Sequence, residues 1–270
     1  MITEFFYYDE IDSTNNELRR RVQSGSAMPE GTVVSAGRQT AGRGRSGHNW
    51  ESPKDVSVST SMILYPEEVP LPYIGRLTPI AAVAVSEAIE GLYGLETGIK
   101  WPNDVLIHRK KVCGILTEME PTDDRVRYVI VGIGVNVHQR EFPPEIAHMA
   151  TSLDLALESV ESNRTAPKDG GRKQGLQETH CRELTQAIWE RFGAHYEAFL
   201  KTNDLSEVLD DYNRRLINRN EVVKVLDPQN PYEGVAECMD VAGRLLVRVS
   251  DEIRRVDSGE VSVRGIYGYV

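Results

Sequence analysis

The sequence predicts an α+β protein in two parts, a large domain over residues 1–219 and a small β domain over 220–270. Two kinds of pattern predict the large domain. Apolar residues recur at helical spacing in some segments and alternate with polar residues in others. After Asn220 the chain changes to short apolar runs separated by turn residues, which is typical of a small β-barrel. A length of 270 residues fits this division.

The first elements along the chain are a helix and two strands. Thr14 and Glu17 have the spacing of a capping box, so we expect a helix to begin there. The run 31–36 is rich in β-branched residues and predicts a short strand. The run 56–64 alternates and then becomes fully apolar, which predicts a partly buried strand.

A helix and a hairpin follow. Thr78 and Pro79 predict an N-cap and a first helical residue, and Gly94 predicts the end of that helix. The helix is apolar nearly all round, which indicates burial. Two apolar runs, 111–119 and 128–137, flank a charged turn and therefore predict a β-hairpin.

The segment 158–180 differs from the rest of the large domain because it is polar and rich in glycine. Such a composition buries too little apolar area to hold one conformation, so we expect a mobile insertion loop. Beyond it, apolar residues recur at helical spacing over 184–199 and again over 205–216. These patterns predict two helices whose apolar faces lie in the core.

The composition argues against several classes of protein. The chain has 41 acidic and 31 basic side chains, a formal net charge of −10, whereas nucleic-acid-binding domains are usually basic. We therefore expect no nucleic-acid partner. The N-terminus lacks the features of a signal peptide, and no apolar run is long enough to span a membrane. Three scattered cysteines indicate a reducing compartment. We expect a soluble, cytoplasmic protein without a membrane partner.

The stretch 37–50, GRQTAGRGRSGHNW, is the most informative part of the chain. Glycine lets the backbone approach a ligand, and Arg43 and Arg45 supply planar cations that pair with phosphate or carboxylate. The stretch matches neither common phosphate motif. Gly47 runs into a segment that does not suit a helix, and Arg-Gly stands where a P-loop requires Lys-Ser or Lys-Thr. The alternative is a solvated basic loop that faces RNA, which the net charge disfavours.

Three further segments carry groups that suit a bound anion. The motif KWPND at 100–104 contains a cation, an aromatic ring, an amide and a carboxylate, and its alternative interpretation is a capped turn. Lys111 comes immediately before a buried strand, where it either is a solvated end charge or reaches a carboxylate or phosphate. Gly132 and Gly134 interrupt a strand, which indicates close approach of a ligand or backbone, or a β-bulge.

Together and in this order, these motifs resemble the catalytic core of biotin protein ligases. The matching pieces are Ser13-Thr14-Asn15, Gln39 to Trp50 with GRGRSG, KWPND, KVCGIL from Lys111, GIGVN from Gly132, Thr151-Ser152-Leu153 and, near the C-terminus, GEVSVRG at 259–265. The resemblance covers essentially the whole chain except 158–180. It implies a mixed sheet with helices, as in class II aminoacyl-tRNA synthetases and biotin–lipoate ligases, followed by an SH3-like β-barrel.

The resemblance implies an ATP-dependent ligase with two steps. Biotin and ATP form biotinyl-5′-AMP and pyrophosphate, and a lysine of a biotin carboxyl carrier protein then takes the biotinyl group. The family reaction also implies Mg²⁺ on the ATP phosphates, with no metal site made by the protein alone. Both monomers and homodimers occur in the family, so the oligomeric state stays open.

The resemblance also implies roles for individual residues. Lys111 corresponds to the family lysine that contacts the biotin carboxylate and the adenylate phosphate, and Arg43, Arg45 and Asp104 complete the catalytic group. Asp104 positions either the incoming lysine or the metal, and both roles stay open. The implied biotin site consists of Ser13, Thr14, Asn15, Gln39, Arg43, Gly44, Arg45, Lys111, Gly132 and Gly134, and the implied nucleotide site of Trp50, Lys100, Asn103, Asn136 and Arg264.

Two other functions stay open at this point. A lipoate or octanoate ligase would use similar adenylation chemistry, and a non-catalytic biotin or adenylate sensor would use only the binding site. GRGRSG and KWPND favour biotin, and a sensor would not need Lys111 together with both arginines. Many members of the family also have an N-terminal helix-turn-helix domain. Because Ser13 starts the first motif, we expect the form without that domain.

Overall fold

A seven-stranded sheet forms the centre of the larger part of the chain. The computed structural model describes residues 1–50, 53–123, 125–163, 177–227, 230–258 and 262–265. The strands of this sheet are β1 (Glu4–Tyr8), β2 (Thr32–Ala36), β3 (Ser57–Leu64), β4 (Gly98–Lys100), β5 (Asp104–Ile107), β6 (Lys110–Pro121) and β7 (Val126–Asn136). Their order is β1-β2-β3-β7-β6-β5-β4, with β1 parallel to β2 and every other pair antiparallel. The mixed sheet and the β6–β7 hairpin confirm the predictions.

Helices cover both faces of the sheet. They are α1 (Thr14–Gln23), α2 (Leu77–Tyr93), α3 (Leu153–Asn163), α4 (Gln177–Thr202) and α5 (Ser206–Arg215). Successive strand residues point to opposite faces, so Val34 packs in the cluster that contains Leu18 of α1, whereas Val33 packs in the larger cluster that contains α2 and α4. The predicted helices at 184–199 and 205–216 correspond to α4 and α5. None of the helices within the described ranges is long and apolar enough to cross a membrane.

The start of α1 differs from the predicted capping box. Ser13 is the N-cap with extended backbone and makes no side-chain cap, and Thr14 is the first helical residue. The Glu17 carboxylate accepts hydrogen bonds from Arg21 instead of from the start of the helix. The N–H of Thr14 donates to Gln39 Oε1 over 2.9 Å. A side chain from a distant loop therefore satisfies the helix N-terminus, and the capping-box prediction was wrong.

The start of α2 also differs from the prediction. The helix continues from a 3₁₀ helix over Leu71–Arg76, so Thr78 lies inside the first turn and is not the N-cap. Its hydroxyl is 2.9 Å from Thr117 Oγ1 of β6. At the other end the prediction is confirmed, because Gly94 ends the helix with a φ of 64°. The predicted burial is confirmed as well, since α2 has buried residues on all sides.

The segment 158–180 is helical at both of its ends. Helix α3 extends to Asn163 and α4 begins at Gln177. The predicted loop therefore does not include these end residues, and the polar composition of 158–163 and 177–180 did not prevent them from extending the two helices. Residues 164–176, which contain most of the predicted insertion, lie outside the described residues.

The C-terminal part forms a second, antiparallel sheet. Its strands are β8 (Val222–Leu226), β9 (Tyr232–Met239), β10 (Leu245–Val249), β11 (Glu252–Val256) and β12 (Ser262–Gly265), in the order β11-β10-β9-β8-β12. Helix α5 attaches this sheet to the larger part, because Asn213 bonds both backbone groups of Met239. Trp101 adds a second connection, since its indole N–H donates to the carbonyl of Gly243 over 3.1 Å.

Candidate active site

An open pocket lies where α1, the loop 37–50, the turn before β5 and strands β3, β6 and β7 meet. Every residue that the sequence assigned to the biotin site lines this pocket, together with Trp50 and Asn103 of the implied nucleotide site. The lining residues are Ser13, Thr14, Asn15, Gln39, Arg43, Gly44, Arg45, Trp50, Thr60, Asn103, Lys111, Gly114, Ile115, Leu116, Gly132, Ile133 and Gly134. Motifs that are more than 100 residues apart in sequence thus form one concave surface.

Lys111 lies at the start of β6, and its ammonium group pairs with a carboxylate. Lys111 Nζ is 2.7 Å from Asp104 Oδ1. The N–H of Lys111 donates to the carbonyl of Met149 over 2.8 Å, and its carbonyl accepts from the N–H of Thr151 over 2.9 Å. The backbone bonds fix the start of the side chain, and the ion pair with Asp104 holds the ammonium group at the edge of the pocket. Nearby, burial raises the pKa of the Cys113 thiol, so this cysteine is a packing residue and not a nucleophile.

Arg45 connects the glycine-rich loop to two distant segments. Its guanidinium donates to Asn103 Oδ1 over 3.0 Å and to the carbonyl of Ser258 beyond β11. Asn103 is fixed in turn, because its amide nitrogen donates to the carbonyl of Ile115 over 3.0 Å. Burial lowers the pKa of Arg45, and the charge of Asp104 opposes this shift. An arginine stays protonated in such a site, so Arg45 brings a partly desolvated positive charge to the pocket wall.

Arg43 takes a different direction and pairs with Glu118 of β6. Arg43 Nη2 is 3.0 Å from Glu118 Oε2 and 2.9 Å from Asn16 Oδ1. Arg19 of α1 contacts the other oxygen of Glu118 over 3.1 Å. The amide nitrogen of Asn15 donates to Glu118 Oε2 over 2.7 Å. One carboxylate therefore holds a loop arginine, a helix arginine and a buried amide at the mouth of the pocket.

Uncharged hydrogen-bonding groups line the part of the pocket next to α1. Gln39 Oε1 accepts from the backbone N–H of Thr14 over 2.9 Å, and the Thr14 hydroxyl is 3.1 Å from the same oxygen. Ser61 on β3 connects Thr14 to Asn15, with oxygen distances of 2.6 Å and 2.5 Å. Helix α1 thus directs its first residues into the pocket, so Thr14 is the first helical residue and a pocket residue, although it is not the cap.

The two glycines of β7 provide space for side chains of the protein itself. A Cβ atom on Gly134 would lie 2.4 Å from Cε2 of Trp50, and one on Gly132 would lie 2.4 Å from Oδ1 of Asn15. Strand pairing is regular at both positions, so the β-bulge interpretation was wrong. Gly114 of β6 also faces the Trp50 ring, with a contact of 3.0 Å from its Cβ position. The indole of Trp50 therefore lies against Gly114 of β6 and Gly134 of β7.

Three further predicted site residues, Asn136, Lys100 and Asp104, are not among the residues that line this pocket. Asn136 is buried, and its amide nitrogen donates to the carbonyl of Thr151 over 3.1 Å, so it holds the segment that leads into α3. Lys100 lies on the edge strand β4. Asp104 contacts the pocket through Lys111. The side chain of Arg264 lies outside the described residues. The nucleotide contacts of Asn136 and Lys100 stay predictions.

Several pocket residues were missed in the sequence. Gly114 and Leu116 line the pocket, and Glu118 follows them on the same face of β6. Alternation along a strand places every second residue on one face, so Gly114 would have indicated Leu116 and Glu118, whereas counting from Lys111 indicates the opposite face. The pairing of Ser61 with Thr14 and Asn15 had no signal of this kind, because it depends on which strand lies next to α1.

Comparisons with known proteins identify the family. The family described as Biotin/lipoate A/B protein ligase matches residues 7–136, and the Biotin protein ligase C terminal domain matches residues 220–264. The biotin--[acetyl-CoA-carboxylase] ligase of Paracoccus denitrificans is 40% identical over 245 residues, which cover 88% of this chain and 91% of that protein. The chain belongs to the biotin protein ligase family. The corresponding ligase of Mycobacterium tuberculosis is 32% identical over 92% of this chain and 85% of its own length.

Other members of the biotin protein ligase family match part of the chain or its fold. The bifunctional ligase/repressor BirA of Bacillus subtilis is 48% identical over 152 residues, so this chain spans about half (46%) of the length of that relative. Among solved structures, the biotin protein ligase from Aquifex aeolicus in complex with biotin and ATP has a TM-score of 0.77 and 29% identity. The match covers 97% of this chain and 99% of that one, and therefore includes both sheets.

Proposed function

We propose that this protein attaches biotin to a lysine of a biotin carboxyl carrier protein in two steps that consume ATP. In the first step a carboxylate oxygen of biotin attacks the α-phosphorus of ATP, which gives biotinyl-5′-AMP and releases pyrophosphate. In the second step the lysine amine attacks the acyl carbon, loses a proton and expels AMP. The relatives named biotin--[acetyl-CoA-carboxylase] ligase support this substrate class.

The observation that carries the proposal is the distribution of charge around one pocket. Lys111, Arg43 and Arg45 bring three cations to it, and Thr14 and Gln39 bring uncharged hydrogen-bonding groups. The first step joins two anions, so neutralisation of their charge is the main requirement. The cationic part suits the carboxylate and phosphate, and the uncharged part suits the ureido ring of biotin, which has both N–H donors and a carbonyl acceptor.

Each of the main side chains then has a defined task. Lys111 binds the biotin carboxylate and the α-phosphate together, and holding two reactants in position can be worth roughly 7–11 kcal/mol at best. The loop that contains Arg45 covers the adenylate and excludes water, which protects an intermediate that water would hydrolyse. Trp50 stacks on the adenine ring. Asn103, which receives a hydrogen bond from Arg45, contributes to the same wall.

The donor groups near Lys111 fit a magnesium ion that is held mainly by phosphate oxygens. Mg²⁺ in such sites usually takes one or two carboxylates together with substrate phosphates. Asp104 offers one carboxylate beside Lys111. Within the described part of the chain, no three His, Cys, Asp or Glu side chains form a complete protein site. When bound, the ion would neutralise phosphate charge, and Asp104 would be its protein ligand.

The proposal extends to the surroundings of the reaction. The carrier domain of a biotin-dependent carboxylase is the protein partner, and nucleic acid is not. A cytoplasmic location follows from the reducing conditions that three free cysteines, Cys113, Cys181 and Cys238, indicate. Homodimer formation stays an open prediction, which sedimentation of the protein with and without biotin and ATP would test.

A biotin-dependent ATP–pyrophosphate exchange assay tests the proposed reaction. We expect exchange with biotin and none above background with lipoate or octanoate at the same concentration. Exchange with lipoate or octanoate but not with biotin would contradict the proposal and favour a lipoate or octanoate ligase. Binding of biotin without any exchange would favour the non-catalytic sensor. Transfer of labelled biotin to a purified carrier domain, abolished when its acceptor lysine is replaced by arginine, would then test the second step.

A further inference from the structure

A buried chain of hydrogen bonds leads from Glu118 at the mouth of the pocket to Thr14 in its wall. Asn15 Nδ2 donates to Glu118 Oε2 over 2.7 Å. Ser61 Oγ is 2.5 Å from Asn15 Oδ1 and 2.6 Å from Thr14 Oγ1. Asn15, Ser61 and Thr14 are only 4%, 0% and 3% exposed, so water does not compete for these groups.

The carboxylate of Glu118 determines the direction of every hydrogen bond in this chain. A carboxylate accepts only, so Asn15 turns its amide nitrogen towards Glu118 and its amide oxygen towards Ser61. An amide oxygen also accepts only, so Ser61 gives its single hydroxyl hydrogen to Asn15. The oxygen of Ser61 is then the acceptor for Thr14, which gives its own single hydrogen to Ser61.

Two neighbouring features keep this arrangement in place. Arg19 and Arg43 contact the Glu118 carboxylate over 3.1 Å and 3.0 Å, which holds it in place. The amide of Asn15 is packed against Gly132, where an added Cβ would lie 2.4 Å from Oδ1. The remaining contact, from Thr14 Oγ1 to Gln39 Oε1, is longer at 3.1 Å, and that oxygen already accepts the backbone N–H of Thr14.

We propose that Glu118 is a positioning residue that sets the ligand specificity of the pocket by making the Thr14 hydroxyl an acceptor only. The hydrogen of Thr14 is committed to Ser61, so only lone pairs face the pocket. A ligand must therefore present an N–H or O–H group to Thr14. This inference rests on the proposed function, in which a ureido N–H of biotin supplies that group. Lipoate and octanoate have no N–H group, so the same device discriminates against them.

Calorimetric titration of the full chain without ATP tests the inference. The ligands are biotin and its two carbamate analogues, in each of which one ureido N–H is replaced by an oxygen atom. For the wild type we expect one analogue to bind about tenfold more weakly than biotin, or worse, because its oxygen faces a lone pair of Thr14. In Glu118→Ala the Asn15 amide is free to turn, and the hydroxyl groups of Ser61 and Thr14 can reverse the direction of their hydrogen bonds. The ratio of the dissociation constants of that analogue and of biotin then falls to about threefold or less.

Two matched variants separate this effect from simple loss of charge or stability. Glu118→Gln removes the ion pairs with Arg19 and Arg43 but keeps an oxygen that accepts from Asn15, so it should retain the wild-type ratio. Ser61→Ala interrupts the chain without touching Glu118 and should lower the ratio as Glu118→Ala does, so the test holds even where Glu118→Ala does not fold. Thermal unfolding of each variant identifies the folded ones.

The outcomes distinguish the inference from the proposed function. A wild type that binds biotin, with the same selectivity ratio in Glu118→Ala and Ser61→Ala, overturns the role of Glu118 and leaves the proposed function intact. A reduced ratio in Glu118→Gln as well would assign the effect to charge and would also overturn it. A wild type that does not bind biotin contradicts the proposed function, and the inference with it.

Discussion

The ammonium group of Lys111 and the carboxylate of Asp104 form an ion pair of 2.7 Å at the edge of the pocket. The two residues lie on adjacent strands, and the pairing of β5 with β6 brings them together. Their side chains are 27% and 14% exposed, so the pair is only partly screened by solvent. Asp104 therefore orients Lys111 towards the pocket, and a ligand anion can bind the ammonium group without first reorganising it.

Replacement of Lys111 by alanine should abolish formation of the adenylate. The variant loses the cation that we place between the biotin carboxylate and the α-phosphate, and loss of one such group typically lowers a rate by roughly 100- to 1000-fold. Biotin-dependent release of pyrophosphate is the measurement. Lys110→Ala is the matched control, because Lys110 is the preceding residue of the same strand and is exposed outside this pocket. Normal pyrophosphate release from Lys111→Ala would rule out the assigned role.

Replacement of Arg45 by glycine should make the protein release its intermediate. Arg45 holds the glycine-rich loop to Asn103 and to the carbonyl of Ser258, so its loss frees the loop from both. We expect the dissociation rate of biotinyl-5′-AMP to rise about tenfold or more, the effect of losing roughly 1.4 kcal/mol. A stopped-flow or filter assay measures this rate. Arg38→Ala serves as the control, since Arg38 pairs only with Glu10 among the contacts described, and an unchanged rate in Arg45→Gly would refute the prediction.

Replacement of Gly134 by alanine should displace the Trp50 ring. The new Cβ would lie 2.4 Å from Cε2, and β7 is paired on both sides at this point, so the indole must move. The other two tryptophans, Trp101 and Trp189, are buried, at 2% and 0% exposed. A shift in tryptophan emission would therefore report that Trp50 has become more exposed. We expect a red-shifted emission and a KM for ATP raised about tenfold, since the ring is assigned to adenine stacking.

A double variant checks the cause of that effect. In a Trp50→Ala background, Gly134→Ala should cost little further affinity or stability, because the clash is gone. Gly75→Ala is a mild control, since its Cβ would meet only Ser258 Oγ at 3.9 Å. If Gly134→Ala lowers stability equally with and without Trp50, then the glycine is needed for the strand and not for the ring.

Much of the fold could be predicted from the sequence because its signals are local. The alternation in β6 and β7 and the helical spacing in α4 and α5 arise within each element, and each appears in the structure. The start of α1 could not be predicted in the same way. Its N-terminal N–H is satisfied by Gln39, 25 residues away, so a local Thr-x-x-Glu pattern led to the wrong cap. Tertiary contacts outweighed local propensity there.

The site shows the same division between local and distant signals. The glycine-rich loop and KWPND stand out as motifs, and the pocket is lined by several residues of the loop and by Asn103 of KWPND. Glu118 and Ser61 were missed because neither belongs to a motif. Each becomes a pocket partner only through the order of strands, since β3, β7 and β6 lie side by side beneath α1. The nucleotide assignment of Asn136 came from a motif alone. In the structure its amide nitrogen bonds the carbonyl of Thr151, and its contact with a nucleotide stays a prediction.

The packing of α2 against α4 should depend on pH through His195. A hydrogen bond from His195 Nε2 to Glu87 Oε2, 3.0 Å long, raises the pKa of the histidine, and burial opposes this shift. Glu207 and Asp211 of α5 add to the increase. Because the folded pKa is the higher one, the stabilisation is complete below the unfolded pKa of about 6.5. It is lost as the pH rises through the folded pKa.

Glu87→Gln isolates this contribution. The variant removes the main cause of the raised pKa, so the difference in free energy of unfolding between wild type and variant should be largest near pH 5.5 and shrink towards pH 8.5. Urea denaturation at several pH values measures that difference, and other titrating groups cancel because both proteins contain them. His195 is the partner whose raised pKa makes this contact depend on pH, so a shrinking difference follows its deprotonation. A difference that stays constant from pH 5.5 to pH 8.5 would show that Glu87 stabilises the helix pair without the charged form of His195.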